Sequence, residues 1–548
     1  MAAVTQAMGV PAGEDQTRAH ALTSGPAIVG ALALAKLVLH MATAARYGFF
    51  IDELYFLACG EHLAWGYVDF PPLTPAQAWL TRALFGDSAY SIRLFPALAG
   101  AALVLLAGAL TRRLGGGRLA QALAALAVLA APIYLFFCTY LSMNSIEPLV
   151  WTGCALVLVR MIQTGDARGW LLFGLIAGVG LLNKHTMVVF ALALVAGLLL
   201  TPQRRLMANR WFVLGGLVAA LVFLPNFIWE VRHGFPHREL LANIRRDGRD
   251  LDVGFLQFWG LELYFLNPVA APLWILGVAG LVRAAALRPH RALGYAFVLT
   301  IGLFLLTPGS HKTYYVASAY PMALAAGALV VERWAATPRR RRVSIAYAAS
   351  IAVSGALMAP TAVPILEPTT YLRYVQALGL KQPKIENRAT NAMPQFFADR
   401  FGWLEMVQTI AAVYHALPAG EREKTGIFAN DYGQGGAIDF YGPRYGLPKA
   451  IGGHLSRTRC SRSTSRCSSA GGRRAGRWRA PGPGSRSGAD LEDVARLQLQ
   501  RARAVELRGD HAEVRAREVA VRERPLAAVE EVEDVEAQHE AVVGRHAE

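Results

Sequence analysis

The apolar residues of this chain come in long blocks separated by short polar segments. Blocks mostly about 15–22 residues long lie near 25–44, 92–110, 119–138, 146–163, 170–183, 187–200, 212–229, 267–286, 293–308, 315–333 and 343–362. That length carries an α-helix across the hydrocarbon core of a bilayer. The pattern predicts an all-α polytopic membrane protein with about eleven transmembrane helices. The blocks at 170–183 and 187–200 are short, and a single re-entrant hairpin is the alternative for them. The first block is too long for the core of a signal peptide and no Ala-x-Ala-type site follows it, so it is read as a retained span.

The polar segments fall into two alternating sets. One set is short and basic: Arg112, Arg113 and Arg118; Arg160 and Arg168; Arg204, Arg205 and Arg210; Arg283, Arg288 and Arg291; Arg333 and the run 339–342. Basic short loops stay in the cytoplasm, which places the N-terminal segment 1–24 there and the C-terminal part outside. The opposite set includes the long loops 45–91 and 230–266. It carries Asp, Glu, His, Lys, Tyr and Trp beside the membrane, a mixture suited to a site.

Composition agrees with the pattern. Of 548 residues 54% are hydrophobic and 17% charged, and mean hydropathy is +0.31. A net charge of +16 raises the question of nucleic acid. The basic residues sit in inside loops and in the last hundred residues rather than in one stripe, so no nucleic-acid partner is expected. The five cysteines show no metal-ligand spacing and imply no disulfide framework.

The outer segments hold the candidate chemistry. Residues 47–56 read Tyr-Gly-Phe-Phe-Ile-Asp-Glu-Leu-Tyr-Phe, so Asp52 and Glu53 are adjacent acids in an apolar run. On a helix, neighbours point about 100° apart. One acid can face a cavity while the other caps the helix, binds a cation or orients its neighbour; a plain helix N-cap is the alternative for the pair. Residues 66–73, Gly-Tyr-Val-Asp-Phe-Pro-Pro-Leu, place Asp69 before a proline-fixed turn. An Arg-Leu-Phe-Pro entry beginning at Arg93 opens the second block. Met143-Asn144-Ser145-Ile146-Glu147-Pro148, Leu182-Asn183-Lys184-His185 and His311-Lys312-Thr313-Tyr314-Tyr315 stand at later outer turns.

These pieces, in this order over roughly residues 25–454, resemble the dolichyl-phosphate-mannose-protein mannosyltransferase family and its bacterial relatives, which include the aminoarabinose transferase of lipid A. The resemblance implies a membrane glycosyltransferase of the GT-C type. Such an enzyme takes a sugar from a polyprenyl-phosphate carrier and passes it to a hydroxyl of a lipid, glycan or protein acceptor, outside the cytoplasmic membrane and among membrane lipid. It further implies Asp52 as general base with Glu53 in support. Lys184, Lys312, His311, Arg93, Tyr314 and Tyr315 would then bind the donor phosphate, with Asp69 and Glu147 as supporting acids. Two departures stand out. Phe70 occupies a position where many relatives have Lys or His, and Glu147 stands where Asp is usual. A divalent cation bridging carboxylate and phosphate is compatible with this chemistry, but no ligand set with diagnostic spacing is visible and no other cofactor is implied. A transporter or flippase for a polar or lipid-linked substrate is the competing class; its marks, an internal repeat and charges at mid-membrane depth, are not evident.

Residues 25–364 thus form the expected transferase domain, with its outer loop at 45–91. Residues 365–454 read as a small periplasmic α/β domain: an amphipathic helix opening at Trp403, a strand at 427–430, then Tyr432-Gly433-Gln434-Gly435-Gly436 and a second helix. The glycines suit either an acceptor-binding turn or a tight strand–helix turn. After His454 the sequence becomes rich in Arg, Ser, Gly and Pro. Residues 455–548 read either as the product of a frameshift or as a disordered tail.

Overall fold

The computed structural model describes residues 24–246, 253–306, 313–380 and 393–452. The expectations for 1–23 and for the tail 455–548 lie outside the described residues. The helices are α1 (Gly25–Thr43), α2 (Ile51–Gly60), α3 (Leu73–Phe85), α4 (Ala89–Arg113), α5 (Arg118–Ala130), α6 (Pro132–Phe136), α7 (Glu147–Thr164), α8 (Gly169–Asn183), α9 (Met187–Leu199), α10 (Arg210–Arg232), α11 (Pro236–Arg246) and α12 (Phe255–Phe265). They continue with α13 (Ala271–Arg283), α14 (Arg291–Leu306), α15 (Tyr320–Trp334), α16 (Pro338–Met358), α17 (Pro368–Ala377), α18 (Gln395–Ala398), α19 (Trp403–Ala416), α20 (Ala419–Arg422) and α21 (Tyr432–Tyr441). Two short strands, β1 (Phe428–Ala429) and β2 (Ile451–Gly452), pair in parallel on either side of α21.

Local sequence explains where the helices begin. Ser24 and Ser88 accept from backbone N–H groups at the starts of α1 and α4, and the Asn209 side chain does the same for Trp211 and Phe212 of α10. Each cap satisfies donors that helix geometry leaves open. The start of α5 has no cap of its own. Glu332, on α15, reaches across and accepts from the N–H groups of Gly117 and Ala120.

Among the described residues seven helical stretches are long and apolar enough to span a membrane. α12 and the following segment 268–283 qualify as an eighth, bent by 98°; the break falls at Asn267, whose φ is +68°. Three shorter apolar helices, α5, α8 and α9, stand where the sequence pattern also predicts spans. Each of the eleven expected blocks is therefore mainly helical over its described residues. Lipid tails are as apolar as leucine, so packing between spans depends on close fit rather than on expelled water. The interior accordingly uses small residues. A Cβ on Gly277 would fall 1.8 Å from the Ala323 carbonyl oxygen, and one on Gly327 would fall 1.7 Å from that of Leu273, so α13 and α15 touch backbone to backbone. α10, in contrast, leaves Leu217, Leu221 and Phe227 exposed, as a lipid-facing surface requires.

At one end of the bundle the segment 45–91 and the segment 393–452 share a core. Leu54, Tyr55 and Phe56 of α2, with Phe70, pack against Val407 of α19 and Ala437 and Ile438 of α21. The two are separated by hundreds of residues in sequence and are one body in space.

A candidate active site where α2 meets the bundle

Glu53 and Asp52 leave α2 in different directions, as adjacent helical positions must. Glu53 turns inward and is fully buried. Its carboxylate accepts from the Phe50 N–H (2.8 Å), closing the first turn of the helix, and from the Leu141 N–H (3.0 Å). Arg93 binds it through Nε (3.0 Å) and Nη2 (2.6 Å). The same guanidinium donates to the carbonyls of Ala44, Tyr47 and Gly48. All five N–H donors of Arg93 are thereby engaged, and none is left for a phosphate. In this structure Arg93 is the buried counter-ion of Glu53, and the geometry adds no support to its expected donor-phosphate role. Glu53, with four donors on it, fixes the start of α2, the helix that carries Asp52.

Asp52 faces a cavity of about 890 Å³, counted with its open mouth, whose wall also includes Phe50, Tyr140, Asn144, Tyr314 and Phe396. Asp52 Oδ1 accepts from the Tyr432 hydroxyl at 2.9 Å. Burial, with the Asp52 charge adding to it, pushes the Tyr140 hydroxyl up to about 12. Beside this wall, Lys184 Nζ donates to Asn144 Oδ1 and to Glu147 Oε2, both at 3.0 Å. The Thr186 hydroxyl holds the other oxygen of Glu147. The ammonium lies 4.3 Å from the ring centroid of Tyr315 and 5.8 Å from that of Tyr314, positions where a ring face attracts a cation. The structure therefore brings Asp52, Tyr314, Tyr315, Glu147 and Lys184 together through Asn144. His311 and Lys312 lie outside the described residues.

Asp69 is near but distinct. Its Oδ1 accepts from the Tyr55 hydroxyl at 2.8 Å, and the Tyr55 ring lies 4.9 Å from that of Tyr432. Withdrawal from water pushes the Asp69 carboxyl up to about 7; the Tyr55 hydrogen bond opposes this and the Asp52 charge reinforces it. The next residue, Phe70, packs against Tyr55, Phe56 and Tyr67 at 4.9–5.4 Å, so this position contributes an aromatic contact where many relatives would offer a cation.

Two participants carried no sequence signal. Tyr432 reaches Asp52 across 380 positions of chain. Arg400 is buried, donates to the Thr139 carbonyl (3.3 Å), the Thr139 hydroxyl (2.8 Å) and the Phe396 carbonyl (3.1 Å), and lies against the rings of Phe50 and Tyr140. Burial, and next the Arg93 charge, pull it down to about 9. The glycines after Tyr432 are explained by packing. A Cβ on Gly433 would lie 2.1 Å from the Ile51 side chain, and one on Gly436 would lie 2.6 Å from the Leu54 carbonyl oxygen. They let α21 lie directly on α2, which favours the tight-turn reading over an acceptor-binding loop. Among the described residues no group of three or more His, Cys, Asp or Glu side chains gathers as a metal site would require.

Residues 69–229, which include Glu147 and Lys184, match the family described as dolichyl-phosphate-mannose-protein mannosyltransferase. Over that stretch the chain is similar to this family. It is 28% identical over 280 residues to an undecaprenyl phosphate-alpha-4-amino-4-deoxy-L-arabinose arabinosyl transferase of Pseudomonas fluorescens, a match covering 47% of this chain and 49% of that protein. It is 27% identical over 235 residues to the lipid A galacturonosyltransferase RgtD of Rhizobium johnstonii, covering 41% and 48%. The match thus spans about half the length of these relatives. In fold it is similar to ArnT from Cupriavidus metallidurans bound to undecaprenyl phosphate, with a TM-score of 0.55, 17% identity, and 79% of this chain and 87% of that one covered.

Proposed function

We propose that the protein transfers a sugar from a polyprenyl-phosphate carrier to an acceptor hydroxyl at the outer face of the inner membrane, with Asp52 as general base. The observation that carries this reading is the placement of Asp52 on the wall of a cavity whose other side leads, through Asn144 and Tyr314, to Lys184. Transfer needs those two functions a short distance apart. As the acceptor oxygen attacks C1, its proton passes to a carboxylate within hydrogen-bond reach. The bond from C1 to the phosphate oxygen breaks, and the departing phosphate needs cationic and hydroxyl donors. Lys184 is held for that task by Glu147, Asn144 and the rings of Tyr314 and Tyr315. Lys312 and His311 are further cations for the same phosphate. A lipid-linked donor accounts for a site at the end of a bundle: the prenyl chain stays in the bilayer while the phosphate enters the cavity. The names of the relatives, which act with undecaprenyl-phosphate-linked or lipid A substrates, support the same class of donor and acceptor. Segment 365–454 belongs on the periplasmic side in this reading, with the N-terminus cytoplasmic.

The test is transfer by the purified full chain in nanodiscs. Undecaprenyl phosphate-alpha-4-amino-4-deoxy-L-arabinose and a membrane extract of lipid-linked sugars serve as donors, cell-envelope lipids as acceptors, and product is read by mass spectrometry with added divalent cation and with chelator. Asp52→Asn is expected to fold normally and to lose transfer by at least about 100-fold. Full activity of that variant removes Asp52 as the base, and movement of lipid-linked sugar with no covalent change removes the transferase.

A further inference from the structure

Asp52 does not stand alone at the cavity. Its hydrogen-bonding partner comes from the far end of the chain, and the geometry around that partner is specific. Tyr432 is the first residue of α21, and its hydroxyl reaches Asp52 Oδ1 at 2.9 Å. Its ring leans on the Tyr55 ring at 4.9 Å, and the Tyr55 hydroxyl holds Asp69 at 2.8 Å. Two acids and two tyrosines thus form one row, Asp52–Tyr432–Tyr55–Asp69. The row is held rigidly at both ends. The Asp431 side chain accepts from the Gly433 N–H at 2.7 Å and fixes the start of α21. Gly433 and Gly436 seat that helix against Ile51 and Leu54 of α2 with no room for a side chain.

We infer that Tyr432 is a positioning residue for Asp52, so that the small C-terminal α/β unit completes the active site rather than merely covering it. This rests on the reading of Asp52 as general base. A carboxylate on the first turn of a helix has two rotatable bonds, and a base must present one oxygen to the acceptor hydroxyl. The Tyr432 hydroxyl occupies Oδ1 and thereby aims Oδ2. A donated hydrogen bond also favours the charged form of the acid, which keeps Asp52 ready to accept a proton. Two titratable groups feel the Asp52 charge directly, Tyr140 from the turn before α7 and Asp69 from the loop before α3; Arg400 of the C-terminal unit lies beside Tyr140, and Glu53, next to Asp52 on α2, is paired with Arg93. Tyr432 holds Asp52 through a side-chain hydrogen bond.

The experiment is a pH titration of the full chain in nanodiscs followed by infrared difference spectroscopy, with the Asp52 carboxyl band assigned by its loss in Asp52→Asn. This needs no knowledge of the sugar. Tyr432→Phe keeps the ring and its packing on Tyr55, and removes the hydroxyl alone. The Asp52 band in Tyr432→Phe is expected to titrate about one pH unit higher, and the acid limb of kcat to move with it while the KM for donor stays put. In an Asp52→Asn background Tyr432→Phe is expected to cost no further activity. An unmoved carboxyl band in a folded Tyr432→Phe protein overturns the inference, as does an additional loss in the double variant. Failure of the base reading looks different: there Asp52→Asn itself stays active, whatever the band does.

Discussion

Glu53–Arg93 and Glu147–Lys184 are both buried carboxylate–cation pairs flanking the same cavity, and their surroundings give them opposite uses. Arg93 spends every donor on Glu53 and on three carbonyls of the chain leading into α2. It fastens α2 to α4 and has nothing left to offer. Lys184 is shared between Glu147, a cavity-lining asparagine and two aromatic faces. Its charge is held beside the wall, and in the proposed reaction an arriving phosphate replaces Asn144 as a partner. The comparison teaches that a charged pair at a membrane edge is read by counting what its donors already do. Residue type and position alone put Arg93 and Lys184 in the same class.

The comparison breaks most visibly through stability. Arg93→Met leaves Glu53 buried without its cation and is expected to cost ~3–5 kcal/mol, measured as loss of folded protein in thermal unfolding by size-exclusion assay. Adding Glu53→Gln to it should recover part of the loss, because the stranded charge is then gone. A stable Arg93→Met protein with weakened donor use would return Arg93 to the phosphate.

Lys184→Gln should do the reverse. It keeps a hydrogen-bond donor beside Glu147 and removes the charge, so the fold should hold while kcat/KM for donor falls about 100-fold and the KM for acceptor changes little. Equal losses toward both substrates would make Lys184 a scaffold residue like Arg93.

The smallest effect concerns Asp69. Its folded-state value of about 7 lies above the ordinary 3.8. Below pH 4 both folded and unfolded chains are protonated there and the group is neutral toward stability. As pH rises from 4 to 7 the unfolded chain releases the proton and the folded one retains it, so stability falls through this window and is level above it. Asp69→Asn should remove that slope and stabilise the protein at pH 8 by ~1–3 kcal/mol, less than the full linkage because the carboxyl is partly exposed. A thermal-denaturation series against pH in both proteins checks it; parallel curves would mean that Asp69 is an ordinary surface acid.

Much of this architecture is legible in the sequence. Apolar block length alone locates the helical stretches, because a bilayer imposes one length on all of them. Asp52, Lys184, Glu147, Tyr314 and Tyr315 are also legible, since each belongs to a short local motif. The divergent directions of Asp52 and Glu53 follow from helical periodicity. What the sequence hides is the partner of each charge. Nothing near Arg93 announces that three carbonyls turn toward it. Nothing near Tyr432 distinguishes it from any tyrosine before a glycine-rich turn. Nothing near Arg400 announces its burial against Phe50 and Tyr140, which depends on segments hundreds of residues away. Long-range pairings leave no periodicity to read.

The contact between α21 and α2 also sets an order of events in time. A ribosome releases α2 some 380 residues before it releases the tyrosine that meets it. At roughly 5–20 residues per second that interval is on the order of a minute. Throughout it the spans enter the bilayer one after another while Asp52 lacks its hydroxyl partner. Asp52 is therefore among the first residues made and among the last to gain its partner. A chain broken off between α16 and α21 carries every span and still lacks the Tyr432 hydroxyl beside Asp52.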